Sequence, residues 1–140
     1  MKAAPKGLSL ISILVPDYDP AIAWFRDSLG FDLLEDTDLG NEKRWVRVGR
    51  PGAATEILLA RAVGQQADAI GFQGGGRVWL FLESDDFARD HAAMIAAGVV
   101  FEAPPRSEPY GQVAVFQDPW GGRWDLIQYT YPDRGGTDQS

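Results

Sequence analysis

An internal repeat is the feature of this sequence that most restricts its fold. The chain has 140 residues, and each half carries a short apolar strand, a helix and three further strand segments in the same order. In both halves an acid near the start of the helix lies 13 residues before a terminating glycine, and two further pairs of residues share an offset of 68. These matched positions are Asp17 and Gly30, Asp85 and Gly98, Pro51 and Pro119, and Leu58 and Leu126. Two βαβββ modules of an α+β fold are therefore predicted.

The first module is predicted to span residues 1–62. Apolar residues at helical spacing predict a helix over residues 20–29, which Asp17 or Asp19 caps. Gly30 is expected to end this helix. Runs rich in apolar and β-branched residues predict strands at residues 8–15, 31–35, 44–48 and 55–61, with a polar turn at 36–41.

The second module is predicted to span residues 78–132, and residues 133–140 are predicted to be a flexible tail. Its helix is expected over residues 86–97. The same patterns predict strands at residues 78–83, 99–102, 112–117 and 123–129, with a Pro-rich loop at 103–110.

Residues 63–77 are predicted to form a linker loop between the modules. The segment is polar and contains three consecutive glycines, residues 74–76. Two interpretations stay open: a plain connection, or a mobile segment that closes over a ligand with Ile70 and Phe72 as its contacts.

Charge and composition exclude several classes of function. The formal net charge is −7, with 13 basic and 20 acidic residues, which excludes an electrostatic footprint for nucleic acid or an anionic membrane. The sequence has no cysteine, so disulfides and thiolate chemistry are excluded. The apolar run at residues 8–15 is too short for a signal-peptide core or a membrane span, and a cytoplasmic protein is expected.

Two runs of the sequence resemble a known superfamily. DYDPAIAWFRDSLGFDL and PYGQVAVFQDPWGGRWDLIQ are similar to segments of the vicinal oxygen chelate superfamily, which includes glyoxalase I, bleomycin-resistance proteins and extradiol dioxygenases. The resemblance covers residues 8–131. It implies two βαβββ modules in one curved mixed sheet, with helices on the convex face and a cavity on the concave face. It also implies a homodimer.

The resemblance further implies a divalent metal bound by about four side chains of the first and last strands. The corresponding positions here are Leu10, Trp79 (or Val78), Asp125 and a position near Glu56. Leucine and tryptophan do not bind metal, so Glu56 and Asp125 are at most weak metal candidates. The repeat pairs Asp125 with Ile57, which leaves open which face Glu56 occupies. The single histidine, His91, is predicted to lie in the middle of a helix. The sequence therefore assigns no cofactor, and a divalent metal stays open as the alternative.

Strand alternation predicts a ligand-binding set on the face away from the helices. An acid within the apolar WDLI run costs burial energy unless it has a partner, so Asp125 is the candidate catalytic acid or base, or the partner of a cation. Arg47 either meets an anionic group or is a surface charge. The other candidate ligand-binding residues, mostly aromatic, are Ser12, Trp45, Trp79, Phe81, Glu83, Tyr110 and Phe116.

Three functional hypotheses follow. The first is a metal-independent protein that binds a small apolar or aromatic molecule, as drug-sequestering resistance proteins do. The second is a metal-dependent lyase, isomerase or dioxygenase similar to glyoxalase I, with Glu56 and Asp125 among its ligands. The third is a metal-free enzyme in which Asp125 transfers protons. Whether the chain is an enzyme stays open on the sequence alone.

Overall fold

The computed structural model describes residues 2–131, and the predicted tail at 133–140 lies outside them. The chain divides into two compact units, Met1–Ile70 and Gly71–Ser140. Each unit holds one repeat of the strand-helix-strand pattern with its own mixed sheet. The hydrogen-bonded strand pairs form two sheets, whereas the resemblance implied one. The α+β fold of the glyoxalase/bleomycin-resistance type is confirmed.

The first unit has its last strand beside its first. Its elements are β1 (Leu10–Val15), α1 (Tyr18–Leu29), β2 (Asp32–Gly40), β3 (Lys43–Gly49), β4 (Glu56–Arg61) and a short 3-10 helix (Gly64–Ala69). The sheet order is β1-β4-β3-β2, with β1 and β4 parallel and the other neighbours antiparallel. The crossover through α1 covers one face of this sheet with a helix.

The apolar stripe of α1 forms the core of the first unit. The Asp17 side chain accepts a hydrogen bond from the backbone N–H of Tyr18 at 2.8 Å, and the helix ends at Gly30. Phe25 is fully buried and stacks on Phe31 with the ring centroids 5.7 Å apart. The strand residues on the helix side, each at most 8% exposed, are Ile13, Val15, Val46, Val48, Ile57 and Leu59.

The predicted polar turn at residues 36–41 is wrong, because β2 continues through most of it. The turn lies one step later, at Asn41 and Glu42, whose φ angles of 56° and 64° suit a two-residue hairpin. The acidic strand is stabilised across the sheet by β3, where Arg44 pairs with Asp36 at 2.6 Å. Polar sequence therefore forms a strand here because the adjacent strand supplies the opposite charge.

The second unit repeats this arrangement with one interrupted strand. Its elements are β5 (Val78–Glu83), α2 (Phe87–Ala96), β6 (Val100–Phe101), β7 (Arg106–Glu108), β8 (Gly111–Gln117) and β9 (Arg123–Tyr129). The order is β5-β9-β8-β6, and β7 also pairs with β8. The predicted loop at residues 103–110 therefore contains a strand, since β7 turns tightly into β8 through residues 109 and 110.

A ladder of aromatic rings forms the helix side of the second sheet. His91 of α2 lies between Phe87 and Phe101, with centroids 5.6 and 4.4 Å away, and Phe101 contacts Phe116 at 5.6 Å. Phe116 stacks on Trp124 at 5.6 Å. His91 is thus a half-buried helix residue packed among aromatic rings, as the sequence predicted.

The repeat holds for the elements, but the 68-residue offset does not preserve the faces of the last strands. Leu58 pairs with Arg47 and lies away from α1, whereas Leu126 is 1% exposed on the helix side. Superimposing the helix-facing Leu59 on Leu126 needs an offset of 67 residues. This alignment places Leu58 at the position of Asp125.

The segment predicted as a linker is built into the fold at both ends. The 3-10 helix at Gly64–Ala69 contacts β1 in the first unit. In the second unit Gly71 lies so close to the 118–122 turn that a Cβ built on it would be 1.8 Å from the carbonyl oxygen of Trp120. Its φ of +72° is also one that glycine adopts readily.

Candidate functional site

The helix-free face of each sheet is the face opposite its α-helix. On the first sheet this face carries Leu10, Ser12 and Leu14 of β1, which pair with Glu56, Leu58 and Ala60 of β4. On the second it carries Phe81, Asp125 and Val115, which lie side by side across β5, β9 and β8. The predicted alternation of β1 and β9 is thus the alternation that the structure has.

On the first sheet, Arg47 is held by two carboxylates. Its Nε donates to Glu35 Oε1 at 2.9 Å, and its Nη1 pairs with Glu56 Oε1. The Arg47 guanidinium lowers the pKa of Glu35 below its ordinary value. Glu56, whose face the sequence left open, lies on the helix-free face, where Arg47 binds it. The engaged Arg47 is a poor receptor for an additional anion.

Two further predicted residues lie near this ion cluster. Ser12 is exposed and pairs across the sheet with Leu58, the direct neighbour of Arg47. Trp45 is half-buried and sits two residues from Arg47 on the same face of β3, opposite Thr37. The first sheet thus combines one indole and one hydroxyl with a charge cluster that is already compensated.

Asp125 is the one chemically unusual residue of the second sheet. It is 4% exposed in the centre of the sheet, between Phe81 on β5 and Val115 on β8. Among the described residues, its Oδ1 is the buried side-chain oxygen that lacks any hydrogen-bond partner. A buried carboxylate oxygen without a partner is costly, and such atoms in native proteins often mark functional sites.

Burial raises the pKa of Asp125 above its ordinary value of 3.8. The positive charges of Arg106 and Arg123 oppose this rise, and the negative charge of Glu102 adds to it. Each arginine already has its own carboxylate: Arg106 bonds to Glu108 at 2.7 Å, and Arg123 bonds to both oxygens of Glu102 at 2.7 Å. Asp125 therefore faces positive charge that is largely neutralised.

Aromatic side chains of the second unit flank this acid in different ways. Phe81 is 58% exposed although it lies in mid-strand beside the buried Asp125. Tyr110 is 48% exposed in the turn before β8, and its side chain interacts with Arg106. Glu83 is exposed at the end of β5. Trp79 packs instead against Gly74, on which a Cβ would lie 2.8 Å from the Trp79 Cβ.

Phe116 is corrected from a ligand-binding residue to a core residue. It is fully buried and stacks on Trp124 on the helix side. The pairing could have been predicted, because a hairpin closed at residues 118–122 places Phe116 opposite Trp124, and directly paired residues share a face.

Sequence reasoning missed Arg106, Glu102 and Glu35 as neighbours of the predicted site residues. Arg106 was hidden in a segment predicted as loop, and Glu35 lies at the boundary of a strand predicted too short. Glu102 lies just after β6 and donates its N–H to the carbonyl oxygen of Val115 at 2.9 Å. Charge pairing was the available signal: Glu35 pairs with Arg47 of β3 and Glu102 with Arg123 of β9, whereas Arg106 pairs with Glu108 of its own strand.

The residues at the superfamily's metal positions do not fit a divalent ion. Within residues 2–131, no three His, Cys, Asp or Glu side chains group in a way that would hold one. In the first unit Leu10 has no donor atom and Glu56 is bound to Arg47. In the second unit Trp79 does not ligate metal, so Asp125 lacks a companion ligand on its own sheet.

None of the helices in the part of the chain described has the length and apolar character needed to cross a membrane.

Comparison with known proteins places this geometry in a family. Residues 7–126 match the family model of the Glyoxalase/Bleomycin resistance protein/Dioxygenase superfamily. An uncharacterized protein of Shewanella frigidimarina (strain NCIMB 400) is 50% identical over 121 residues, which cover 84% of this chain and 90% of that protein.

Solved structures agree with this assignment. TnmS3, an antibiotic binding protein from Streptomyces sp. CB03234, is 29% identical with a TM-score of 0.74, covering 92% of this chain and 100% of that chain. A glyoxalase/bleomycin resistance protein from the same Streptomyces strain is 31% identical with a TM-score of 0.70, covering 87% and 100%. The chain belongs to the Glyoxalase/Bleomycin resistance protein/Dioxygenase superfamily.

Proposed function

We propose that this protein binds a small apolar or aromatic molecule on a helix-free sheet face, without a divalent metal. The observation that carries the proposal is Phe81, a phenylalanine 58% exposed in mid-strand beside a buried acid that no other side chain engages at Oδ1. An exposed ring next to a polar group of fixed position is the usual composition of a small-molecule site.

Two further observations support binding over metal chemistry. The donor set at the superfamily's metal positions is replaced by leucine, tryptophan and a glutamate bound to arginine. The similar protein TnmS3 is an antibiotic binding protein, which supports the binding of a small molecule by this chain. Proton transfer by Asp125 during turnover of the bound compound is the alternative that the same acid allows.

Calorimetric titration with a planar aromatic probe tests the proposal. Wild-type protein in excess EDTA should bind 6-methoxyquinoline, and added Zn²⁺ or Mn²⁺ should leave the affinity unchanged. Phe81→Ala should weaken binding at least about fivefold, since stacking contributes about 1 kcal/mol. Ile95→Ala is the matched control, because Ile95 is 52% exposed on α2, on the other side of the sheet. Binding that appears only with metal, or equal effects of both variants, would contradict the proposal.

The superfamily resemblance adds a homodimer and a cytoplasmic location to the proposal. A second subunit would cover an edge strand, such as β2 of the first sheet. Light scattering should then report twice the chain mass of 15.3 kDa. A value of one chain mass at micromolar concentration would contradict the dimer.

A further inference from the structure

We propose that Asp125 anchors the bound molecule by accepting a hydrogen bond from an O–H or N–H group carried on a planar ring that lies against Phe81. This inference rests on the proposed function and deepens it, because it names the ligand chemistry that the helix-free face of the second sheet selects. It assigns Asp125 as a ligand-binding residue and requires no change of covalent bonds.

The first argument is the missing partner of the Asp125 carboxylate. Oδ1 is buried, and no donor of the described chain reaches it. Asp118, the other buried acid among the described residues, shows how a structural aspartate is hydrogen-bonded in this fold. Its two oxygens accept hydrogen bonds from Trp120 N at 3.0 Å, Gly122 N at 2.8 Å and Trp124 Nε1 at 3.1 Å. Asp125 thus has an acceptor that the protein itself does not use.

The second argument is that the fold does not need an acid at this position. In the first unit, the residue at the same place in the last strand is Leu58, which occupies the centre of its sheet between Ser12 and Arg47. An apolar side chain is therefore compatible with this site in a βαβββ sheet. Asp125 consequently lowers the stability of the fold, and no hydrogen bond to Oδ1 offsets this loss. Such a loss is typical of residues that serve binding or catalysis.

The third argument is the charge around Asp125. Arg106 and Arg123 lower its pKa from a distance, but each is bonded to its own glutamate. With Glu102 and Glu108 included, this part of the helix-free face carries three acids against two arginines. An anionic ligand group is therefore disfavoured here, and a neutral or cationic donor is favoured.

The fourth argument is the position of Phe81. It is the direct neighbour of Asp125 on the parallel edge strand β5, and neighbouring strands lie about 4.8 Å apart. Phe81 is 58% exposed, so the side of Asp125 that faces β5 has an accessible aromatic neighbour. A ring placed on Phe81 brings a substituent at its rim within reach of Asp125.

A matched pair of probes tests the inference. 6-Hydroxyquinoline and 6-methoxyquinoline share one ring system, but a methyl group replaces the hydroxyl proton in the second, so only the first can donate a hydrogen bond from this oxygen. Calorimetry on wild-type protein should give about tenfold or more tighter binding of the hydroxy compound, as expected for a hydrogen bond to a charged or buried acceptor. Asp125→Leu should bind the two probes equally. Asp125→Asn, which keeps an acceptor oxygen, should retain part of the preference.

Each outcome of this test decides the matter. Equal affinity of wild-type protein for the two probes would overturn the role of Asp125 and leave the proposed function intact. A preference that persists in Asp125→Leu would place the acceptor elsewhere and overturn the inference as well. No binding of either probe would contradict both the inference and the proposed function. Thermal melts of the two variants confirm that each is folded.

Discussion

Two buried aspartates of the second unit show how the same side chain serves different ends. Asp118 and Asp125 are 8% and 4% exposed, and burial raises the pKa of both carboxyls. Asp118 recovers this cost through bonds to the backbone of its turn and to the indole of Trp124. Asp125 has no such bond to Oδ1, so its cost stays uncompensated until a donor arrives.

Removing the carboxylate of Asp118 should destabilise the protein. Asp118→Ala eliminates three hydrogen bonds, and we expect a loss of about 2–4 kcal/mol in the free energy of unfolding. Asp38→Ala is the control, since Asp38 accepts one hydrogen bond, from Gly40 N, at an exposed turn. Urea denaturation of both variants measures the difference, and equal losses would show that Asp118 does not organise its turn.

Removing the charge of Asp125 should have the opposite effect and should depend on pH. A carboxyl whose pKa is raised in the folded state favours folding at low pH, and this contribution is lost as pH rises through the folded pKa. Asp125→Asn and Asp125→Leu should therefore be more stable than wild type at pH 7, by about 1–3 kcal/mol. This advantage in stability should shrink as the pH falls towards 3.8, the ordinary pKa of an aspartate. A constant difference across this range would refute the account of Asp125.

At this scale, the sequence predicted side chains well where alternation alone decides them. Asp125 was identified because an acid in an apolar run stands out. Phe116 was misplaced because β8 is buried on both faces, so its alternation carries little information. The missing partner of Oδ1 was not predictable, because it depends on the residues that β5 and β8 place beside Asp125.

Among the elements, residues 71–77 make a close contact with the 118–122 turn. Gly71 approaches the carbonyl oxygen of Trp120, and Gly122 lies against the carboxylate of Asp118. A side chain at either place would push the segment or the turn away. The residues predicted as a linker loop thus contain a close contact with the 118–122 turn. If this segment closed over a ligand, it would have to break that contact.

Substitution of Gly71 tests this contact. Gly71→Ala and Gly75→Ala both place a side chain at positive φ, +72° and +68°, and both should lose about 1–2 kcal/mol for that reason. A Cβ at Gly75 meets nothing within 4 Å, whereas one at Gly71 meets a backbone oxygen. Thermal unfolding should therefore show a clearly larger loss for Gly71→Ala. Equal losses would mean that the segment is free to move.

Element boundaries were predicted correctly where apolar runs end in turn residues. β5 and β9 have the predicted bounds, and both helices end within a residue of the predicted positions. β2 was predicted too short and β7 was missed, because both are polar; the charges that pair with β2 lie on the neighbouring strand β3. Local propensity does not contain that information.

For the whole molecule, the replacement of metal ligands within each unit is the central feature. Leu10 and Glu56 of the first sheet, and Trp79 and Asp125 of the second, do not provide a donor set for a divalent ion. The fold was predictable because the two motifs occur in a fixed order. The ligand was not predictable, because lyases, dioxygenases and resistance proteins share this fold and bind different molecules.

Metal content provides an independent prediction. Protein purified without chelators and analysed by mass spectrometry should contain well under one equivalent of Mn²⁺, Fe²⁺, Ni²⁺ or Zn²⁺ per chain. Added metal should not raise the melting temperature, since a ligand stabilises the folded state only when its concentration exceeds its Kd for that state. One equivalent of metal, with stabilisation that EDTA reverses, would favour the metal-dependent hypothesis.

The most direct measurement is a map of backbone amide shifts in the presence of excess EDTA, as 6-hydroxyquinoline is added to the assigned protein. The account predicts saturable shifts that centre on Phe81 and Asp125 and extend to Val115, with Ile95 on α2 unaffected. Shifts that appear only after a divalent metal is added, or that centre away from the helix-free face of the second sheet, would contradict it.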